Sequence, residues 1–326
     1  MGRRKKGRAV SGWLVLDKPY DFGSTQAVGK IRWLFDANKA GHAGTLDPLA
    51  TGVLPIALGE ATKTVPYVTD GEKSYRFTVQ WGVQTNTDDA EGEAIETSDK
   101  RPSRQEIEAI LSDYIGDIQQ TPPAFSAIKI DGKRAYAEAR AGKDIVLEPR
   151  TVSIDTFELT DCPDDNLSTF EVTCGKGTYV RALARDMGLQ LGCYGHIQQL
   201  RRTYVEPFEE SDAVSLDALI ALEGDLSGLD ELLITPLQAM DGFTEIRMSE
   251  DETRRIRMGN SIILRGRDAP IEEEDVCAVY KGSLVAIGDV EKGCFQPRRV
   301  LQSPNNAPPP EPSGLTLSLA AHPSGR

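Results

Sequence analysis

The sequence predicts an α+β protein with a second, smaller β-rich module, and three observations carry that expectation. Residues 74 to 81 alternate strictly, with Tyr75, Phe77, Val79 and Trp81 on one side and Ser74, Arg76, Thr78 and Gln80 on the other. That is the period of a half-buried strand. Ser103-Arg104-Gln105-Glu106 reads as a capping box ahead of Ile107, Ile110, Leu111 and Tyr114, the spacing of an amphipathic helix. Elsewhere strand and helix patterns mix without the regular alternation of a doubly wound parallel sheet.

In chain order, residues 1–10 form a basic arm, with Arg3, Arg4, Lys5, Lys6 and Arg8, expected to lack structure until it meets a polyanion. A large domain is expected over 11–242. In it Val152 to Leu159 and Thr169 to Cys174 read as strands, and Tyr179 to Leu191 as a helix with Val180, Leu183, Met187 and Leu191 on one face. Asp225 to Gly242 places Leu226, Leu229, Leu232, Leu233 and Ile234 at helix-like spacing before Pro236 and reads as a connector. Over 243–302, short apolar runs such as Val276 to Val279 and Leu284 to Ile287 alternate with Gly and charged turns, which suggests a small β-rich domain. Ser303 to Arg326, with Pro308, Pro309, Pro310 and Pro312, has the composition of a disordered tail.

The net charge is −13 in 326 residues, which at first argues against a nucleic-acid partner. The distribution reverses that inference. Glu206 to Asp275 alone carries 19 acidic and 6 basic residues, so the rest of the chain is neutral overall and can hold a basic face. Five cysteines without a Cys-x-x-Cys pair, and only three histidines, argue for reduced thiols and against a zinc site. No apolar run approaches the roughly 18 residues of a spanning helix, and Trp13 to Leu16 is too short for a signal peptide. A soluble, cytoplasmic protein without a membrane partner is expected.

The most unusual segment runs from Gly41 through His42, Gly44, Asp47, Pro48 and Gly52 to Leu54. Its glycines permit tight or positive-φ backbone, while Pro48 fixes its own φ and pushes Asp47 away from helical geometry. Two readings are open. Asp47 caps a helix that Pro48 begins, or the loop is shaped to present its carboxylate.

This segment, followed by Gly59-Glu60-Ala61-Thr62-Lys63, resembles the signature of the TruB-type tRNA pseudouridine synthases. Lys18-Pro19 with Ser24-Thr25, Lys73-Ser74-Tyr75, Pro122 to Lys129, Lys176 to Arg181 and Leu200-Arg201-Arg202-Thr203 resemble further motifs of the family, in order. Phe125 stands where tyrosine is common, Gly175 where serine is common, and two extra residues sit between Pro19 and Ser24.

The resemblance implies the pseudouridine synthase fold: a mixed, mainly antiparallel sheet with flanking helices, an RNA-gripping insert at about 99–144, and a PUA-like C-terminal domain. It implies an isomerase acting on the T-arm stem-loop of tRNA, at the uridine numbered 55 by convention, with a possible further role in tRNA folding. It assigns Asp47 as the catalytic carboxylate, Arg181 as its bidentate partner, and Tyr75 as the residue that stacks on the base and takes part in proton transfer. Tyr179 and Leu200 would line the pocket, His42 would fill the place of the flipped base, and Lys18 would touch the RNA backbone. Arg185, one turn beyond Arg181, fits a solvated helix face. The reaction is redox-neutral and has no second substrate, so neither cofactor nor metal is expected, and a monomer is expected. Two other readings stand: a guide-RNA-dependent enzyme of the same superfamily, against which the insert argues, and a tRNA-binding protein whose chemistry is incidental. With every pocket residue lying before the acidic segment, removal of all residues after about Gly242 is expected to leave the chemistry possible.

Overall fold

The computed structural model describes residues 7–126, 129–130, 133–134, 147–266 and 269–302. Most of the basic arm, the proline-rich tail and much of the insert expected at 99–144 lie outside the described residues.

The first part of the chain forms β1 (Gly12–Lys18), α1 (Ser24–Leu34), β2 (Ala40–His42), β3 (Thr51–Leu58), α2 (Val65–Asp70) and β4 (Lys73–Trp81). A hairpin of β5 (Val83–Thr85) and β6 (Ala94–Thr97) follows, then α3 (Arg104–Ile110) and β7 (Gly116–Gln120). After the short pair β8 (Lys129–Ile130) and β9 (Lys133–Arg134) come β10 (Arg150–Asp164), β11 (Leu167–Cys174), α4 (Val180–Gln190) and β12 (Gly195–Val205). Then β13 (Phe208–Glu209), β14 (Val214–Ser215), α5 (Leu216–Ala221) and α6 (Leu226–Glu231) complete this part.

These strands build one ten-stranded sheet in the order β14-β1-β3-β12-β4-β11-β10-β7, with β2 added to β3 and β13 to β12. Its pairs are antiparallel except β1 with β14 and β3 with β12. The alternation read at 74–81 is β4, whose Phe77, Val79 and Trp81 are buried beneath α4 residues Leu183 and Met187. Phe77 stacks on Phe170 of β11, and the Trp81 indole N–H donates to the Ser168 hydroxyl at 2.9 Å. The capping box at Ser103 is present with both of its reciprocal bonds. On the other half of the sheet, Leu14, Leu16, Leu54 and Ile56 pack against Ile31 and Phe35 of α1 and its C-cap, with Leu219 and Leu229.

The segment read as a connector is built into this core. Leu229 is fully buried, and Ile234 exchanges both backbone hydrogen bonds with Trp13, covering an edge of β1 that would otherwise stay unpaired.

The remaining residues form β15 (Glu245–Arg247), α7 (Glu250–Arg257), β16 (Ile262–Ile263), β17 (Glu273–Tyr280), β18 (Ser283–Glu291) and β19 (Cys294–Val300). They make a five-stranded sheet in the order β15-β17-β18-β19-β16. One face of it encloses a small core with Ile256, Val276, Val285 and Phe295. The other face places Cys277, Val279, Leu284 and Ile287 in one continuous cluster with Trp13, Val15, Val205, Phe208 and Met240. Both faces of this sheet are therefore covered, one by its own helix and one by the core of the first part of the chain.

Candidate active site

Asp47 sits in the loop between β2 and β3, and no helix follows it. The chain makes a single turn, with the Ala50 N–H on the Asp47 carbonyl at 3.1 Å, before β3 begins at Thr51. Helix capping is thus excluded, and the backbone on both sides of Asp47 is pinned. The Ser24 hydroxyl donates to the Leu46 carbonyl at 2.7 Å and accepts from the Leu46 N–H at 2.9 Å. The Lys18 ammonium donates to the carbonyls of Pro19, Phe22 and Pro48. Lys18 is fully buried, and that corrects the expectation that it touches RNA: its three N–H groups are spent on the loop. Burial lowers its pKa to about 8.

Arg181, the second residue of α4, reaches this carboxylate with its Nε 2.9 Å from Asp47 Oδ2. The bidentate fork expected for this pair is absent. Nη1 donates to the Thr87 carbonyl at 2.8 Å and Nη2 to the Phe125 carbonyl at 2.9 Å, while Nη1 also lies 3.5 Å from Asp89 Oδ2. The guanidinium is therefore oriented by three loops, and only one of its edges faces Asp47. Among the described residues Asp47 Oδ1 has no partner, so one carboxylate oxygen is held and the other is available.

Asp47 stands between two cavities. One, of about 280 Å³, is lined by Lys73, Tyr75, Lys176, Tyr179, Arg181, Leu200 and Arg202. The other, of about 560 Å³, is lined by Ser24, Pro48, Thr87, Asp89, Glu91, Glu93, Phe125 and Ser126 with Arg181. The structure thus brings together Asp47, Tyr75, Tyr179, Arg181 and Leu200 from four separate stretches of sequence. Tyr75 and Leu200 are partly buried and bridge the two cores on either side of the pocket, so packing and pocket roles coincide in them. Burial raises the pKa of both phenols, Tyr75 and Tyr179. His42 is not brought to the cavities. It ends β2 with a buried, unpartnered Nδ1, and burial followed by the nearby Arg202 charge lowers its pKa.

Several contributors escaped the sequence reading. Asp89 accepts from the Thr87 hydroxyl at 2.6 Å and the Glu91 N–H at 3.1 Å, which holds it beside Arg181. The Gln120 amide clamps both backbone groups of Tyr179. Arg185 is not solvated as expected; it pairs with Asp88 at 3.1 Å and donates to the Thr121 carbonyl at 2.7 Å. Asp89, Gln120 and Arg185 are hydrophilic residues that belong to no obvious sequence pattern, so nothing in the sequence signalled these roles. Among the described residues there is no cluster of three or more acidic, His or Cys side chains that could hold a metal ion, and no helix long and apolar enough to cross a membrane.

A buried arginine thus holds one oxygen of a carboxylate beside a pocket walled by two tyrosines and a leucine. Comparison gives the fold a name. The structure titled "Crystal structure of the archaeal box H/ACA sRNP Nop10-Cbf5 complex" superposes with a TM-score of 0.70 at 22% identity, covering 94% of each chain. "Crystal Structure of a Cbf5-Nop10-Gar1 Complex" gives a TM-score of 0.66 at 24% identity, over 86% of this chain and 79% of that one. The fold is that of the pseudouridine synthases. Residues 32–180 match the model of the TruB family pseudouridylate synthase N-terminal domain, and residues 181–240 that of the tRNA pseudouridylate synthase B C-terminal domain. "tRNA pseudouridine synthase B" of Brucella ovis is 55% identical over 320 residues, covering 92% of this chain and 99% of that protein. Its counterpart in Agrobacterium fabrum is 57% identical over 304 residues, covering 91% and 96%. The chain belongs to the TruB family of pseudouridylate synthases, and is an isomerase.

Proposed function

We propose that this protein converts the T-loop uridine of tRNA, numbered 55 by convention, to pseudouridine, with Asp47 as the catalytic carboxylate. The observation that carries this reading is the arrangement at Asp47: Oδ2 is fixed by Arg181, and the residue lines a pocket with Tyr75, Tyr179 and Leu200. Isomerisation breaks the N1 glycosidic bond and rejoins the uracil to the sugar through C5. It needs a carboxylate at the ribose–base junction, as nucleophile or as base, and a surface that keeps the detached ring in place while it turns. Tyr75 supplies that surface by stacking, and its oxygen, as phenolate, accepts the C5 proton. A stacked uridine cannot reach Asp47, so it is extruded from its loop at a cost of roughly a few kcal/mol.

The named relatives, tRNA pseudouridine synthases B, favour tRNA over a guided RNA as substrate. We read residues 11–242 as the catalytic part and 243–302 as a PUA-like partner to it, acting as a monomer. His42, off the pocket and with its pKa lowered by burial, would stack on the RNA loop from which the base has left. The test is incubation with an unmodified tRNA transcript tritiated at uridine C5, in the presence of EDTA. Stoichiometric tritium release from the T-loop is expected. Release confined to another uridine would overturn the site assignment, and absence of release would overturn the activity.

A further inference from the structure

Arg202 is the largest charged side chain in the fully buried set, with 1% of its surface exposed. Among the described residues no carboxylate lies within ion-pair distance of it. A buried guanidinium normally sits beside an anion, because desolvation is otherwise uncompensated. Here the hydrogen-bond partners are the Val53 carbonyl, at 2.8 Å from Nε, and the Gly44 carbonyl, at 3.1 Å from Nη2, and Tyr75 lines the same cavity beside it.

The sheet register explains how these groups meet. Arg202 of β12 lies directly opposite Tyr75 of β4, so both side chains leave the sheet on one face. On its other side Arg202 is level with Gly52 of β3, whose φ is +97° and where an added Cβ would lie 2.2 Å from the Arg202 carbonyl. Gly44, at φ +83°, also leaves room: a Cβ there would lie 3.2 Å from Nη1. Two glycines in the segment around Asp47 thus admit one arginine, and that arginine lies across the sheet from the tyrosine and lines the same cavity.

We infer that Arg202 is a positioning residue for the isomerisation: it holds the Tyr75 oxygen over the target base and supports its negative charge while that oxygen takes the C5 proton. The inference rests on the reading of Tyr75 given above. The step balances as follows. The phenol first yields its proton to solvent. Once C5 is joined to the sugar, the phenolate oxygen takes the C5 proton, the C–H electron pair restores the C5=C6 bond, and the C6=N1 pair returns to N1, which takes a proton from solvent. The phenol is thereby regenerated. Burial disfavours the phenolate and Arg202 opposes that effect, so without the guanidinium the ionisation is harder. Because the arginine also donates to the Gly44 carbonyl, it links the tyrosine to the loop that carries Asp47.

The experiment measures single-turnover rates against pH, and the C5-deuterium isotope effect, for Arg202→Met and Arg202→Lys in the Tyr75 and Tyr75→Phe backgrounds, with tRNA binding and thermal melting followed alongside. In the Tyr75 background Arg202→Met is expected to slow turnover by about 30-fold or more, with binding changed by less than about 3-fold. The rising limb of the pH profile should move to higher pH, the isotope effect should increase, and Arg202→Lys should recover part of the rate. In the Tyr75→Phe background the arginine substitution should add less than about 2-fold, because it acts through an oxygen no longer there. Equal losses in both backgrounds, or an unmoved pH limb and isotope effect, would overturn the proposal. Should Arg202→Met not fold, a ring-fluorinated, more acidic tyrosine at position 75 gives the same decision. It should restore rate to Arg202→Lys at neutral pH, and failure to do so counts against the proposal. Wild-type turnover by Tyr75→Phe is a different result, which removes the proton-transfer role of Tyr75 itself.

Discussion

Replacing Arg181 by lysine keeps a positive charge beside Asp47 and removes the planar group that distributes it. The guanidinium serves acceptors in three directions: Asp47 Oδ2 at 2.9 Å, the Thr87 carbonyl at 2.8 Å and the Phe125 carbonyl at 2.9 Å. An ammonium at the end of a shorter stem cannot span them. Each carbonyl left without a donor costs about 1–3 kcal/mol when buried. Thr87 and Phe125 are only partly buried, so water replaces some of the loss, and a total of about 1–3 kcal/mol is expected. That lowers Tm by several degrees. The kinetic effect is larger. Asp47 is 39% exposed and no longer held at Oδ2, and misplacing a reacting group by about 1 Å costs on the order of 100-fold. Tritium release from C5-labelled tRNA under single-turnover conditions should therefore fall by about 100- to 1000-fold, with tRNA affinity within a few-fold of wild type. A rate within about 3-fold of wild type, in a variant that binds and melts as expected, would show that the orientation of Asp47 does not depend on the guanidinium.

Asp47→Asn should lower single-turnover tritium release by at least about 1000-fold while leaving filter-binding affinity nearly unchanged, since it removes a reactive oxygen and little contact area. Ile287→Ala should lower stability by about 2–5 kcal/mol in denaturant titration, because Ile287 is fully buried between the two sheets. Deletion after Gly242 should give a protein that aggregates or melts far below wild type, by exposing Trp13, Phe208 and Met240; a well-folded truncation would show that the shared cluster is dispensable. Burial raises the Asp88 carboxyl pKa to about 6, and its pairing with Arg185 opposes that only in part. A raised acid pKa gives stability that is full below the unfolded value near 3.8 and is lost as pH rises to about 6. Relative to Asp88→Asn, wild type should thus lose about 2–3 kcal/mol across that window in chemical denaturation, and parallel curves for the two proteins would exclude Asp88 as the titrating group.

Local patterns read true wherever one short segment decides its own conformation. The alternation over Ser74–Trp81 became β4, the box at Ser103 capped α3, and the stripe after Tyr179 became α4, because period and capping are properties of neighbouring residues. The family signature also singled out Asp47, Tyr75, Tyr179, Arg181 and Leu200, and the structure gathers them around one pocket. Lys18 and Arg185 went otherwise. A lysine and an arginine have the same composition whether they meet RNA, solvent or a carbonyl, and only the groups packed over them decide which. The same limit applies to the join between the sheets. The apolar run in β18 says that the strand is covered, but whether one of its faces meets Trp13 and Phe208 is set by how the two sheets dock. So the sequence by itself determined the local elements and the chemical identity of the pocket. The tertiary structure decided the single-edged contact of Arg181 with Asp47, the spending of Lys18 on the loop, and the approach of Arg202 to Tyr75. Each of those depends on residues far apart in the chain, whose separations are set by sheet register and by desolvation rather than by spacing along the sequence.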